Sequence, residues 1–515
     1  MKKYLTILFL VICIFNKVNA QTQNRLLGEI NFLKLTGFNI TEIEEVLSGQ
    51  FTLPDGKTVK NLPAFLRIAF TSKPTPESNI RVELWLPKDN WNGCFLGTGN
   101  GGGAGKISYN GLVSGITKGY ATANTDMGTS PDVYKIIEYP ERWADFGYRS
   151  THLMTVLSKT ILEIYYKKAA QYSYFQGCST GGEQALMEAQ RYPEDYNGII
   201  AGAPANNRTH LHALFVWNLV NTFDSNNNAI ISQMKMKFFK KLLLENYGGK
   251  DGGAPGDNFF TDQRILSFNK DILPKCTEFI SDSCFSKDEI EALKKLYVGP
   301  TNKRTGERIY APSPLGASTL EIRPTSSLFY MFKWVFGADF DYRKFDFDHD
   351  MRKMDSILAP ILNANNPNLS AFKSSGGKLL MYTGTEDQLV PYPDAINYYE
   401  HVIEAQGSLK ETQNFFRFFL VPGMAHCGGG PGLNDIGDKL RIMRDWVEKG
   451  IAPEKIIATA FSCCDTNEIR FKRPIYPYPK FPTYKGGDPN STESYEGVEH
   501  PRGEVLKPDQ KYLNY

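Results

Sequence analysis

Six residues, GCSTGG at 177–182, constrain this chain more than any other stretch. An aromatic run, YSYFQ (172–176), leads into them and a helical run, EQALMEAQRYPED (183–195), leads away. NGIIAGAPA (197–205) then reads as a further strand. Strand, tight turn, helix, strand is the frame in which Gly-x-Ser-x-Gly lifts a serine onto the top of a sheet. A serine hydroxyl is a weak nucleophile. It needs a base, and the base needs a carboxylate to orient it.

On an α/β-hydrolase sheet these groups arrive in the order Ser, Asp, His, each at the carboxyl end of a strand. Ser179 occupies the turn. Asp387 follows the strand KLLMYTG (378–384), and His426 follows FFRFFLVPG (415–423). Of the seven histidines, His426 alone sits in a glycine-bounded loop after a late strand. Glu386 adjoins Asp387 and is a second candidate for the acid. The oxyanion formed on attack needs backbone N–H donors. Thr180, next after the nucleophile, supplies one. The second is expected from the strand and glycine loop CFLGTGNGGGAG (94–105), at Gly101 or Gly102, with Gly101 preferred; a purely structural turn is the other reading of that loop.

A thiol at Cys178 would compete with the serine or be oxidised unless it has a partner. Cys427 directly follows His426, so if Ser179 and His426 lie within reach, their neighbours can meet, and a Cys178–Cys427 disulfide is expected. The compartment permits it. MKKYLTILFLVICIFNKVNA has the charged start, short apolar core and small terminal residue of a secretory signal peptide over residues 1–20. The mature chain is expected to be exported, periplasmic or extracellular, where disulfides persist. The apolar run from Leu5 to Phe15 is too short for a membrane span. Seven cysteines follow Cys13, so at least one is unpaired.

The 515 residues suffice for a large core with an insertion, and a net charge of +2 without basic blocks gives no electrostatic case for nucleic acid or an acidic membrane. FLRIAF and NIRVELWLP (65–87) alternate as strands at a sheet edge, and residues 145–170 have helical spacing. Between about 207 and 372 the strand–helix alternation stops. This predicts an inserted lid over 207–372, with the catalytic α/β-hydrolase domain formed by 21–206 and 373–515. His210 and His212 lack metal-ligand spacing and read as structural. Phe329, Tyr330, Phe332, Trp334 and Phe336 read equally as a substrate wall or as packing. The tail after Arg470, rich in Pro and Tyr, is expected to be irregular.

The pairs CS (178–179) and HC (426–427) with Asp387 resemble the CS-D-HC motif of the tannase and feruloyl esterase family. GYATANTD (119–126), DFGYRSTH (145–152), GCSTGGEQALMEAQRYPEDYNGIIAGAPA (177–205), GGKLLMYTGTEDQLVP (376–391) and VPGMAHCGGGPG (421–432) extend the resemblance over nearly all of the mature chain. It implies a lidded α/β-hydrolase with a disulfide-bridged triad, hydrolysing esters of aromatic acids through an acyl-enzyme. Gallate, ferulate and mono(hydroxyethyl) terephthalate esters, including those from plant cell walls or tannins, are the implied substrates, and the chemistry needs no cofactor.

The resemblance also implies a calcium loop in the lid. Its counterpart here is YGGKDGGAPGDNFF (247–260), with Asp251 and Asp257 as candidate ligands. Gly248 replaces the first acidic ligand, and Tyr247 and Leu266 replace a cysteine pair. Cys276 and Cys284 match a lid disulfide. Tyr476 stands where the family often has cysteine, and the pairing of Cys94, Cys463 and Cys464 is open. A peptidase on the same fold and a non-catalytic glycan-binding protein are the rival readings; the intact Ser179, Asp387 and His426 weigh against the second.

Overall fold

The computed structural model describes Gly28 and residues 37–277, 281–317, 327–462 and 468–500. The expected signal peptide, Cys463 and Cys464 lie outside the described residues. The chain divides into two compact units, Met1–Phe175 and Gln176–Tyr515.

The first unit is built on β1 (Phe38–Val46), a hairpin of β2 (Gly49–Thr52) and β3 (Thr58–Leu62), then β4 (Phe65–Ser72), β5 (Ile80–Pro87), β6 (Cys94–Thr98), helix α1 (Tyr109–Thr117), β7 (Ala121–Thr125) and helix α2 (Ser150–Tyr166). Its sheet runs β1-β4-β5-β7-β6, antiparallel except for the parallel pair β6 and β7. β5 is buried at seven of its eight positions, so it is an interior strand rather than an edge. The edge is β1, whose Glu42, Glu44 and Glu45 hide its alternation and discourage pairing with another chain. Arg67 of β4 makes two hydrogen bonds, 2.8 and 2.6 Å, to the buried Glu83 carboxylate of β5. Helix α2 is shorter than the 145–170 expected: residues 145–149 form a π-turn before it, and left-handed Lys167 (φ 58°) ends it.

The division falls within β8 (Tyr172–Cys178). The second unit continues with α3 (Thr180–Arg191), β9 (Gly198–Gly202), α4 (Arg208–Thr222), α5 (Gln233–Tyr247), α6 (Lys287–Val298), α7 (Tyr330–Phe336), α8 (His349–Leu362), β10 (Lys378–Gly384), α9 (Tyr392–Gln406), β11 (Phe416–Val421) and α10 (Lys439–Lys449). Strands β9, β10 and β11 are parallel and almost wholly buried, as apolar runs without alternation require. Between β9 and β10 the described residues form helices and short 3₁₀ turns, with no longer strand. One apolar cluster holds α5 and α6 together through Met236, Phe239, Leu243, Leu293 and Leu296. Leu266 belongs to that cluster and Tyr247 packs on it, so both cysteine replacements serve apolar packing. Ser286 and Glu289 cap α6 reciprocally, and the Cys276–Cys284 disulfide closes the loop just before it.

The tail is more regular than its composition suggests. β12 (Ile456–Phe461) pairs with β13 (Ile469–Ile475), and β14 (Lys480–Tyr484) pairs with β15 (Tyr495–Glu499). Prolines 474 and 482 sit inside these strands, where a two-stranded ribbon leaves outward positions that need no N–H. Among the described residues no helix is long and apolar enough to cross a membrane.

Candidate active site

The turn after β8 is tight because its glycines allow it. A Cβ on Gly177 would run into the Gly181 carbonyl, and one on Gly182 into the Gly202 carbonyl. Ser179 between them adopts φ 64° and ψ −120°, a conformation that costs a non-glycine residue about 1–3 kcal/mol. Two bonds to the segment around β9 hold it there: Ser179 N–H donates to the Gly202 carbonyl (2.9 Å) and Ala205 N–H to the Ser179 carbonyl (3.2 Å). Thr180, buried, begins α3, where the helix dipole favours an anion.

Asp387 is fully buried in the loop after β10. One carboxylate oxygen accepts from the amides of Leu389 (2.9 Å) and Val390 (2.8 Å), and the other contacts His426 Nδ1 at 2.8 Å. The imidazole therefore keeps Nε2 for other work, with a fifth of its side chain exposed. The Cys178–Cys427 disulfide, Cα to Cα 6.0 Å across 249 residues of sequence, joins the neighbour of Ser179 to the neighbour of His426.

Glu386 is not equivalent to Asp387. Both its oxygens bind Lys240 Nζ of α5, at 2.8 and 2.6 Å, in a buried pair. Two more bonds fix the same loop: Gln263 Nε2 donates to the Thr385 carbonyl (2.8 Å), and Gly423 N–H donates to the Thr385 hydroxyl (2.9 Å). Burial pushes the Glu386 carboxyl up to about 7 from its ordinary 4.5, against the pull of Lys240. A carboxyl raised in this way contributes stability that is fully present below pH 4.5 and lost as pH rises through about 7. Lys240→Met, which strands the carboxylate, should cost about 3–5 kcal/mol at neutral pH. Denaturant melts should show a smaller cost at pH 5 than at pH 8, because the stranded carboxyl then takes up a proton.

Behind the Ser179 turn lies a network that sequence reasoning missed. Arg208, the first residue of α4, is buried and pairs with Glu183 of α3. Its Nη2 also donates to the Thr180 hydroxyl (3.1 Å) and to the Tyr330 hydroxyl (2.7 Å). Burial pushes the Glu183 carboxyl up to about 7, opposed by Arg208. The only available signal was Glu183 on the inward face of the helix after the turn, and nothing in the sequence pairs it with Arg208. His210 contacts Asp355 (2.9 Å) and the Ile309 carbonyl (2.7 Å), and His212 contacts the Leu328 carbonyl (2.9 Å). His212 is held neutral, its pKa lowered to about 3 by burial and by nearby Arg208. Tyr330, Phe332 and Trp334 are buried, Phe332 stacking on Phe340, so these three aromatics are packing. Phe329 stacks on Tyr342 and Phe336 on Phe340, both half-buried.

Gly101 lies in the first unit, exposed, in a turn closed by Ala104 N–H donating to its carbonyl (3.1 Å). Gly102 carries the turn's φ of +57°. The loop borders a cleft of about 320 Å³ that Lys57, Asn100, Ser108 and Tyr109 also line. Cys94 is buried and stands in neither disulfide.

The Gly/Asp loop does not fit calcium. A calcium ion takes six or more oxygens, and the two carboxylates are already engaged. Asp251 accepts from the amides of Gly253 (3.1 Å), Thr261 and Asp262 (3.3 Å). Both oxygens of Asp257 bind the Arg473 guanidinium of β13 at 2.7 and 2.8 Å. That guanidinium, 4% exposed and packed on Phe471 and Tyr495, brings the positive charge the ion would bring. Chelation with EDTA should leave the melting temperature unchanged and added calcium should not raise it. Arg473→Met should cost about 3 kcal/mol by thermal or denaturant melt, the penalty of an unpaired buried carboxylate.

The family model "Tannase and feruloyl esterase" matches residues 67–335 and 326–498. An uncharacterized esterase of Xanthomonas campestris pv. campestris is 33% identical over 92% of this chain and 91% of its own. A protein named "Probable feruloyl esterase" from Arthroderma benhamiae is 33% identical over 81% of this chain and 82% of its own. The crystal structure of feruloyl esterase B from Aspergillus oryzae superposes with a TM-score of 0.82 at 26% identity, covering 90% of this chain and 97% of that one. With its mixed α/β architecture and central strands, the chain belongs to the tannase and feruloyl esterase family and is a carboxylic ester hydrolase of the α/β-hydrolase fold.

Proposed function

We propose that this is an exported serine esterase that cleaves esters of aromatic acids through an acyl-enzyme. The observation that carries the reading is the 2.8 Å contact of Asp387 with His426 Nδ1, on a histidine whose neighbour is disulfide-bonded to the neighbour of Ser179. His426 Nε2 takes the Ser179 proton as the oxygen attacks the ester carbonyl. Asp387 stabilises the imidazolium, and the Thr180 and Gly101 amides receive the oxyanion. The imidazolium returns the proton to the leaving alcohol. Water then attacks the acyl-enzyme through the same base. No step calls for a cofactor or for calcium.

In this reading residues 207–372 are the lid and 21–206 with 373–515 the catalytic domain. The helical character of the stretch between β9 and β10 supports that division. Export is supported by the signal-peptide pattern of residues 1–20 and by two disulfides outside it. The aromatic acyl group is supported by relatives named feruloyl esterase.

The test is product release from methyl ferulate, methyl gallate, mono(hydroxyethyl) terephthalate and a matched anilide. Turnover of one aromatic ester, much faster than the anilide and lost with Ser179→Ala, is the expected result. Turnover of none of the esters, or turnover that survives the substitution, overturns the reading.

A further inference from the structure

A full guanidinium charge is buried beside the serine turn, and stability alone does not account for it. The side chain of Arg208 is 3% exposed and that of its partner Glu183 2%. A buried ion pair of this kind is often no more stabilising than the apolar side chains that could replace it. The chain delivers it there from β9: Ala205 N–H donates to the Ser179 carbonyl, and Arg208 follows at the start of α4. One side chain then reaches two positions on the first turn of α3. Nη1 pairs with Glu183 and Nη2 donates to the Thr180 hydroxyl (3.1 Å), and positions i and i+3 share one helix face. Nε and Nη2 both donate to the Tyr330 hydroxyl of α7, at 3.2 and 2.7 Å, which fixes the plane of the fork.

The two charges of the pair do not act equally on this turn. The guanidinium touches Thr180 directly, whereas the Glu183 carboxylate is bonded to the other terminal nitrogen. Thr180 therefore meets the positive end of the pair first. Its hydroxyl is a near neighbour of its own amide nitrogen, and Thr180, Glu183, Arg208 and Tyr330 are all buried. Among such side chains a charge acts on an anion at that amide with little screening. A neutral carbonyl at the same place gains far less, so the charge favours the transition state over the bound ester.

We propose that Arg208 is a positioning residue for ester hydrolysis: through Thr180 it sets the first turn of α3 and supplies the positive field in which that residue's amide receives the oxyanion. The inference rests on the proposed reading, which gives the Thr180 amide that role. Glu183 then sets the strength of the field. The other titratable groups around the pair are Tyr330 of α7 and His212 of α4, and His212 is held neutral. Arginine keeps its charge throughout, so protonation of Glu183 leaves the guanidinium uncompensated. Burial, pushing that carboxyl up to about 7, brings the change close to neutral pH.

The experiment measures kcat and KM at pH 6 and pH 8 on methyl ferulate, methyl gallate or mono(hydroxyethyl) terephthalate, whichever turns over fastest. Phenylboronic acid, which forms a tetrahedral anion on a reactive serine, is the second probe. Glu183→Gln removes the opposing charge and keeps the shape, so it should raise kcat at pH 8 and leave it at the wild-type value at pH 6. Adding Arg208→Met to that variant strands no carboxylate. It should lower kcat about tenfold with KM unchanged, short of the roughly hundredfold or greater loss that follows removal of an oxyanion donor itself. Phenylboronic acid should bind more weakly by a similar factor. Thr180→Val should lower kcat in the wild type and have no further effect once Arg208 is gone. A pair that serves packing alone would move the melting temperature but leave kcat, its pH dependence and the boronic acid affinity of the folded protein where they were, and that result overturns the inference. So does a kcat for Glu183→Gln below wild type at both pH values. Should melts show that the combined variant does not fold, the Glu183→Gln comparison decides by itself. Turnover lost with Ser179→Ala but indifferent to Arg208 and Glu183 overturns this inference alone. Turnover that is absent, or that survives Ser179→Ala, overturns the esterase reading itself.

Discussion

Alanine at position 179 should lower kcat by about six orders of magnitude, and asparagine at position 387 by about four, with the melting temperature nearly unchanged for the first. The two differ for a geometric reason. In the proposed mechanism, removing the hydroxyl removes the attacking atom. Asparagine keeps a polar group at 2.8 Å from His426 Nδ1 but can present an N–H there, which turns the imidazole into the tautomer that cannot accept the serine proton at Nε2. If the three groups act on one proton, as proposed, Ser179→Ala combined with Asp387→Asn should be no slower than Ser179→Ala alone. Multiplying effects in single-turnover assays would instead mean that Asp387 acts outside this chain of contacts.

Replacing both Cys178 and Cys427 by alanine should destabilise the protein by about 5 kcal/mol in the chain-entropy account, since the bond closes a loop of 249 residues. Unlike the first prediction, this one affects folding and chemistry together. The melting temperature should fall by on the order of 10 °C. In whatever fraction stays folded, kcat should drop, because His426 loses the covalent link that fixes its loop against the serine turn. Reductant should reproduce both changes in the wild type; in the double variant it should leave kcat unchanged and lower stability only by the smaller share that the Cys276–Cys284 bond contributes. Removing Cys276 and Cys284 instead should lower stability less and leave kcat alone, since that bond closes only eight residues.

Local chemistry made much of this legible. The serine turn can be read because Gly177 and Gly182 have no room for a Cβ, and the loops of Asp387 and His426 because each follows a buried apolar strand of recognisable length. What stayed hidden depends on pairings across the fold. Lys240 looks like one more surface lysine in QMKMKFFKK, and only the folded chain places it on Glu386. Arg473 sits in a proline-rich tail that reads as irregular, and nothing local announces that it neutralises Asp257 more than two hundred residues away. β1 escaped notice because its glutamates, two of them paired with Arg67 and the third with Lys88, break the alternation at a sheet edge, where charge is tolerated.

The Lys240–Glu386 joint bears on any exchange of parts between this enzyme and its relatives. Helix α5 and the loop after β10 lie 146 residues apart in sequence, yet each supplies half of one buried charge pair. A chimera that imports the helical stretch from a relative without a lysine at this position inherits an unpaired carboxylate one residue from Asp387. Such grafts should express poorly or lose rate whatever their new binding surface offers. Grafts that carry Glu386→Gln alongside should recover. The helical stretch between β9 and β10 can be exchanged between such proteins only together with its partner at position 386.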